Sequence, residues 1–327
     1  MYCGNCFRDN ALVAALREAG HEVTMIPLYL PFTLDEENQA GDTPIFYNGV
    51  NVYLEQKSAL YRAAPRWLHR VVGSDTMLGW AASQVGKTRA EEVGDLTISM
   101  LRGEEGHQAR ELEELIGWLK TQPKPHVISL SNSLLLGLAH RLKEAIGAPV
   151  VCLLQNEAPY IDSMPEEVRE EVWQIMAERA QEIDQFIAPS AFYAGRMRDK
   201  LNLTADRVQV IHNGINHDGY SAERVAPNPP VVGFFSRMCK DKGLDTLVDA
   251  FIKMKQDNHI PQLRLKIGGG CGPGDEPFVE SLRDRLHAKA LLGDVEFHPN
   301  LSRAEKQAFL KSLSVLSVPA QFGESFG

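Results

Sequence analysis

The 327-residue chain has no run of about 18 apolar residues, the length that a membrane-spanning helix requires. Met1 is not followed by a charged segment and an apolar core, so no secretory leader is expected. There is no long basic run either: 34 Lys and Arg stand against 43 Asp and Glu, a formal net charge of −9. That balance is unsuited to tracking a phosphodiester backbone, and nucleic acid is not an expected partner. These absences predict a cytoplasmic protein, with room only for weak association with a membrane surface. Cysteine is scarce, five in all, and only Cys3 and Cys6 are paired in spacing. An odd, scattered set is the usage of a reducing compartment, in which the sequons at Asn202 and Asn300 carry no glycan.

What is present is a repeated alternation. With 44% apolar residues over this length, there is material for two packed cores. "NALVAALREA" at Asn10 to Ala19 has helical spacing, and "HEVTMIPLY" behind it is a nearly continuous apolar run, as expected for a parallel strand covered on both faces. The cycle recurs as "HVISLS", a helix over Leu134 to Ile146, "APVVCLLQ", a helix over Pro165 to Glu182, "QFIAPS", a helix over Ala191 to Leu201 and "VQVIHNG". Residues 222 to 230, "AERVAPNPP", resist any regular element and read as a linker. Beyond them come "VVGFFS", a helix from Leu244, "LRLKIGGG", a helix from Pro277, "VEFHP", a helix from Arg303 and "SVLSVPA". Strands alternating with helices predict an α/β protein of two Rossmann-like, doubly wound domains, 1–225 and 226–327. Residues of about 55–125, with Trp67, Trp80 and Trp118, read as a helical insertion in the first.

Three motifs carry less than they suggest. "YCGNC" has the spacing of redox and zinc sites, but no second ligand pair follows it. "AASQVGKT" at Ala81 to Thr88 matches a loose phosphate-binding loop without the buried strand that such a loop must follow. "GGGCGPG" at Gly268 to Gly274 lacks dinucleotide-binding spacing and reads as a loop that approaches something closely.

The chemistry concentrates elsewhere. "RMCKDKG" sets Arg237 and Lys242 on one loop at the carboxyl end of a parallel strand, the edge where open α/β sheets bind ligands. Two fixed cations there suit a diphosphate. After another strand comes "PAQFGESFG", in which Glu324 precedes Ser325, Phe326 and Gly327, read as a turn opening a helix whose free amides would face phosphate.

With "NGI" at Asn213 to Ile215, "RMCKDKGLDTLVDAF" at Arg237 to Phe251, the glycine loop, "VEFHP" at Val295 to Pro299 and "SVPAQFGESFG", the sequence resembles the retaining, GT-B-fold glycosyltransferases of family 4, also called glycosyl transferases group 1. The resemblance implies transfer of a sugar from a nucleotide-diphosphate sugar to the hydroxyl of a glycan, lipid or small-molecule acceptor, with no cofactor and no metal. It implies catalytic roles for Glu324, Arg237 and Lys242, with Gly269, Gly270, His298, Ser325, Phe326 and Gly327 also binding the donor. In the first domain it places acceptor contacts near Asn5, Asn132, Asn156 and Glu157, although the His that many members carry after the strand matching "VVCLLQ" is not found there. Measured against the family pattern, the first strand of domain 1 and the C-terminal part of domain 2, with a second Glu, are missing, so Met1 reads as an internal methionine. Two alternatives stay open at this level: a non-catalytic remnant that binds a sugar nucleotide or glycan, and an epimerase of the same fold.

Overall fold

A computed structural model describes residues 4–28, 37–47, 90–220, 226–260, 262–321 and 323–326. The chain divides into two units, one built on Cys3–Gly214 and one on Ile215–Glu324, with Ser325 and Phe326 grouped with the first. Both are α/β units around a parallel sheet.

In the first unit, α1 (Gly4–Glu18) leads into residues 21–28, which form no strand. The predicted strand "HEVTMIPLY" is therefore corrected over these residues, its last residue lying outside those described. An apolar run signals burial, but a strand needs a ladder. Here the bond from Tyr47 N–H to the Leu28 carbonyl, 2.8 Å, is one contact and not a register.

Helices α2 (Ala90–Arg102) and α3 (Ala109–Leu119) fall inside the stretch read as an insertion, yet they form a layer of the main core. Leu101, Leu112 and Ile116 are buried in the same cluster as Val150, Cys152 and Phe186 of the sheet. Trp118 packs on Phe46, ring centroids 5.6 Å apart. Trp67, Trp80 and the Ala81–Thr88 motif lie outside the described residues.

The first sheet is β1 (Ile128–Leu130), β2 (Val150–Leu153), β3 (Gln185–Ala188) and β4 (Val208–Val210), in that spatial order and all parallel. Between β1 and β2 the predicted helix is a 3₁₀ segment, Ser133–Leu138, continued by α4 (Ala139–Ile146). Then come α5 (Glu157–Asp162) and α6 (Glu166–Arg179) before β3, and α7 (Ala191–Leu201) before β4, with Ser190 capping α7 by accepting from Tyr193 N–H. Asp184 fixes the start of β2, accepting from Val150 N–H at 2.7 Å while Lys143 pairs with it. Burial raises this carboxyl, but the Val150 and Lys143 bonds outweigh it and hold the pKa below the usual carboxylate range.

The second unit runs β5 (Val231–Phe235), α8 (Leu244–Asp257), β6 (Arg264–Gly269), α9 (Glu276–Ala288), β7 (Val295–Pro299), α10 (Arg303–Lys311) and β8 (Val315–Leu316). Its sheet has the order β7-β6-β5-β8, again parallel. β5 is buried over its first four residues because helices cover both faces, and Phe234, Phe251, Leu265, Ile267 and Leu282 fill the core. Ser302 and Glu305 close a reciprocal capping box at the start of α10.

Candidate functional site

The site is built where four loops leave the carboxyl ends of the second sheet. The loop after β5 is tied to the loop after β6 by Ser236 N–H to Gly268 O and Met238 N–H to Gly270 O, 3.3 and 2.8 Å. It is tied to the segment after β8 by Gln321 N–H to Asp241 O at 3.0 Å, and the β6 loop reaches the β7 loop through Asn300 N–H to Gly269 O at 2.8 Å. Asn300 then brackets Cys271, accepting from its N–H and donating to its carbonyl, both at 2.9 Å.

Two glycines make this closeness possible. Gly243 has φ of +72°, and a Cβ there would lie 1.8 Å from the Pro319 carbonyl oxygen. Gly269 has φ of +125°, and its Cβ would lie 1.9 Å from the Ser236 carbonyl oxygen. Both combine a left-handed backbone with a backbone contact that admits no side chain. Gly270, next in the chain, is half-buried and gives its carbonyl to Met238.

Lys242 ends a single 3₁₀ turn just before Gly243, and its Nζ donates to Glu324 Oε1 at 2.5 Å. Both side chains are about three-tenths exposed. Arg237 donates Nε and Nη2 to Asp275, with Nη2 to Oδ1 at 2.9 Å. This bond to the carboxylate raises the Arg237 pKa further above its ordinary value. The Arg237 side chain is 67% exposed and that of Asp275 only 9%, so the guanidinium is gripped from beneath and open above. In the Ile215–Glu324 unit each of the two sequence-predicted cations therefore meets solvent with a carboxylate fixed beside it.

The remaining predicted donor residues behave differently. His298 turns its ring onto Phe309, centroids 5.5 Å apart, and its Nε2 lies 3.1 Å from Glu296 Oε2. The neighbouring strand residue Phe297, which points to the other face, lies under Arg283 at 3.9 Å. Ser325 lies at a bend. The Ser325 carbonyl accepts from Ser190 Oγ at 2.6 Å, and Phe326 packs on His212 with ring centroids 5.9 Å apart. Gly327 lies outside the described residues.

In the first unit the acceptor-side candidates cluster at the ends of β1 and β2. Glu157 is 5% exposed and spent on protein contacts: Oε1 accepts from Ser133 N–H, and Oε2 from Gln155 N–H and Tyr193 Oη, at 2.8, 2.9 and 2.8 Å. Three of the roughly four lone-pair sites of this carboxylate are thus taken by protein donors. Burial and the Glu157 charge push the Tyr193 hydroxyl far above its ordinary pKa, and burial does the same to the Cys152 thiol. Asn132 caps the 3₁₀ segment, its Oδ1 accepting from Leu134 N–H at 3.0 Å, while Asn156 is exposed and makes no capping bond. The side chain of Asn5 is outside the described residues. Sequence reasoning passed over Arg8, whose Nη2 reaches the Ser131 carbonyl at 3.2 Å, beside Gln155 Nε2 at 3.0 Å.

Asp275 was also missed. The signal for it was present: an acid directly after a glycine loop and two residues before a proline, at a helix start.

Comparison with protein families matches residues 221–327 to Glycosyl transferases group 1 and residues 89–218 to Glycosyltransferase Family 4. Among solved structures the chain is similar to Anabaena HepE in complex with UDP, with 18% identity over 69% of this chain and 60% of that one, at a TM-score of 0.54. Sucrose-phosphate synthase from Thermosynechococcus elongatus is similar at 19% identity, covering 67% of this chain and 56% of its own, with a TM-score of 0.54. The chain therefore spans about three-fifths of the length of these structures. A comparison with curated protein sequences finds no match. Among the described residues, no helix is long and apolar enough to cross a membrane.

Proposed function

Since the chain belongs to the group 1 glycosyltransferases of the GT-B fold, we propose that it moves a sugar from a nucleoside diphosphate sugar to an acceptor hydroxyl with retention of anomeric configuration. The observation that carries this reading is the pair of cations, Arg237 and Lys242, fixed on one loop at the carboxyl edge of a parallel sheet.

The reaction makes a specific demand on those residues. As the bond between the anomeric carbon and the diphosphate oxygen breaks, its electron pair stays on the diphosphate. The acceptor oxygen bonds to the anomeric carbon on the same face and its proton passes to the departing phosphate. Charge thus grows on the leaving group and on the sugar ring. Arg237 and Lys242, held on one loop, would supply positive potential where the first develops, Lys242 by exchanging its Glu324 partner for phosphate. A charge-assisted hydrogen bond contributes about 1.5 to 3 kcal/mol, which makes two of them a sizeable part of donor affinity. These cations supply the positive charge without a metal, and no cofactor enters the scheme. Glu324 takes the sugar: its carboxylate accepts from a donor hydroxyl as Lys242 turns to phosphate, which orients the ring but forms no covalent intermediate.

HepE was crystallised with UDP and with UDP-glucose, so UDP-glucose is the first donor to try. Proton NMR of the linkage made from an α-linked donor is expected to show an α-glycoside, formed equally well in EDTA. A β-linked product would contradict retention, and loss of turnover in EDTA would contradict a metal-free leaving-group site.

A further inference from the structure

Arg237 has five N–H donors, and the geometry shows which of them are already committed. The Nε and Nη2 edge faces Asp275, at 3.1 and 3.2 Å from Nε and 2.9 Å from Nη2. The opposite edge, Nη1 with the second Nη2 proton, faces outward on a side chain that is 67% exposed. Asp275 itself is immobilised. It is the residue preceding α9, its own N–H is bonded to Gly272 O at 2.8 Å, and its Oδ2 accepts from Gly272 N–H at 3.1 Å. A long side chain that would otherwise sample many rotamers is therefore clamped at its inner edge to a loop and helix junction, with its outer edge left to form a second, parallel pair of bonds.

We propose that Asp275 is a positioning residue for the donor diphosphate, acting through Arg237: the carboxylate holds one edge of the guanidinium so that the other is set for two phosphate oxygens. This rests on the donor-site reading above. It has a rival in plain electrostatics, because a carboxylate near the site also opposes an anion. On that view Asp275→Asn, which removes a negative charge, would tighten binding. Clamping predicts the opposite, since Asn keeps the shape but offers only one oxygen to the fork, and freedom restored to Arg237 must then be lost on binding.

The test is a double-mutant cycle on diphosphate affinity, read by calorimetry with inorganic pyrophosphate and with UDP. Asp275→Asn is expected to weaken both about five- to tenfold. Arg237→Ala is expected to weaken them at least as much, and the double variant to bind no worse than Arg237→Ala alone. Affinity in Asp275→Asn equal to or tighter than the unmodified protein, while Arg237→Ala is weakened, overturns the proposal and leaves the donor site standing. Full multiplication of the two effects also overturns it, since a residue acting only on the fold would weaken binding again in the Arg237→Ala background. If Arg237→Ala binds both probes normally, the donor-site reading falls and this inference falls with it.

Discussion

Replacing Lys242 with alanine is expected to weaken nucleoside diphosphate binding by roughly 10- to 150-fold and to remove measurable sugar transfer. The magnitude follows from a charge-assisted bond of about 1.5 to 3 kcal/mol, at tenfold per 1.4 kcal/mol. A second effect acts in the same direction. Lys242 Nζ lies 2.5 Å from Glu324 Oε1, so the substitution leaves the carboxylate uncompensated beside the phosphates it must tolerate. Stability should respond little. Both partners are about three-tenths exposed, and a solvated pair of this kind is worth at most about 1 kcal/mol. Urea unfolding and a UDP titration on the same preparation separate the two readouts: near-normal stability with lost affinity is the expected combination. Normal affinity and normal turnover would remove Lys242 from the site.

Gly243→Ala is expected to have the larger structural effect. An L-residue at φ of +72° costs about 1 to 2 kcal/mol, and the added Cβ would sit 1.8 Å from the Pro319 carbonyl oxygen, where only a backbone shift can relieve it. Overpacking of that kind costs about 1 to 3 kcal/mol more, for a total of about 2 to 5 kcal/mol. The shift also separates the loop carrying Lys242 from the segment carrying Glu324, so diphosphate affinity should fall with stability. Gly274→Ala is the control, because no atom lies within 4 Å of its Cβ and its φ is not positive. Equal urea midpoints for the two variants would contradict the close-approach account of this loop.

Much of this architecture is legible in the sequence. "VVGFFS" and "LRLKIGGG" announce buried parallel strands because helices on both faces remove the need for alternation, and β5 and β6 lie where those runs fall, while "VEFHP" falls on the edge strand β7, of which only Val295 is buried. The same rule misled at residues 21–28. Apolar character reports what a segment buries, whereas a strand depends on a neighbouring backbone edge, about which a local run is silent. Ser325 and Phe326 likewise make contacts, to Ser190 and His212, that lie too far away in sequence for local spacing to announce. The carboxylates were the least legible part. Asp275 meets Arg237 across 38 residues and Glu157 meets Tyr193 across 36, separations at which sequence spacing holds no information about pairing. Thus nothing local to Glu157 announced the three protein donors that bind it, and Asp275 looked like an ordinary helix-start acid although it grips a candidate phosphate ligand.

The central claim is that the loop bearing Arg237 and Lys242 recognises a diphosphate. Its most direct test is a calorimetric comparison of UDP, GDP and ADP with their parent nucleosides. At least one diphosphate should bind ten or more times more tightly than its nucleoside, with that advantage lost in Arg237→Ala and Lys242→Ala. A protein that binds each nucleoside as well as its diphosphate, or whose preference survives both substitutions, would contradict the account.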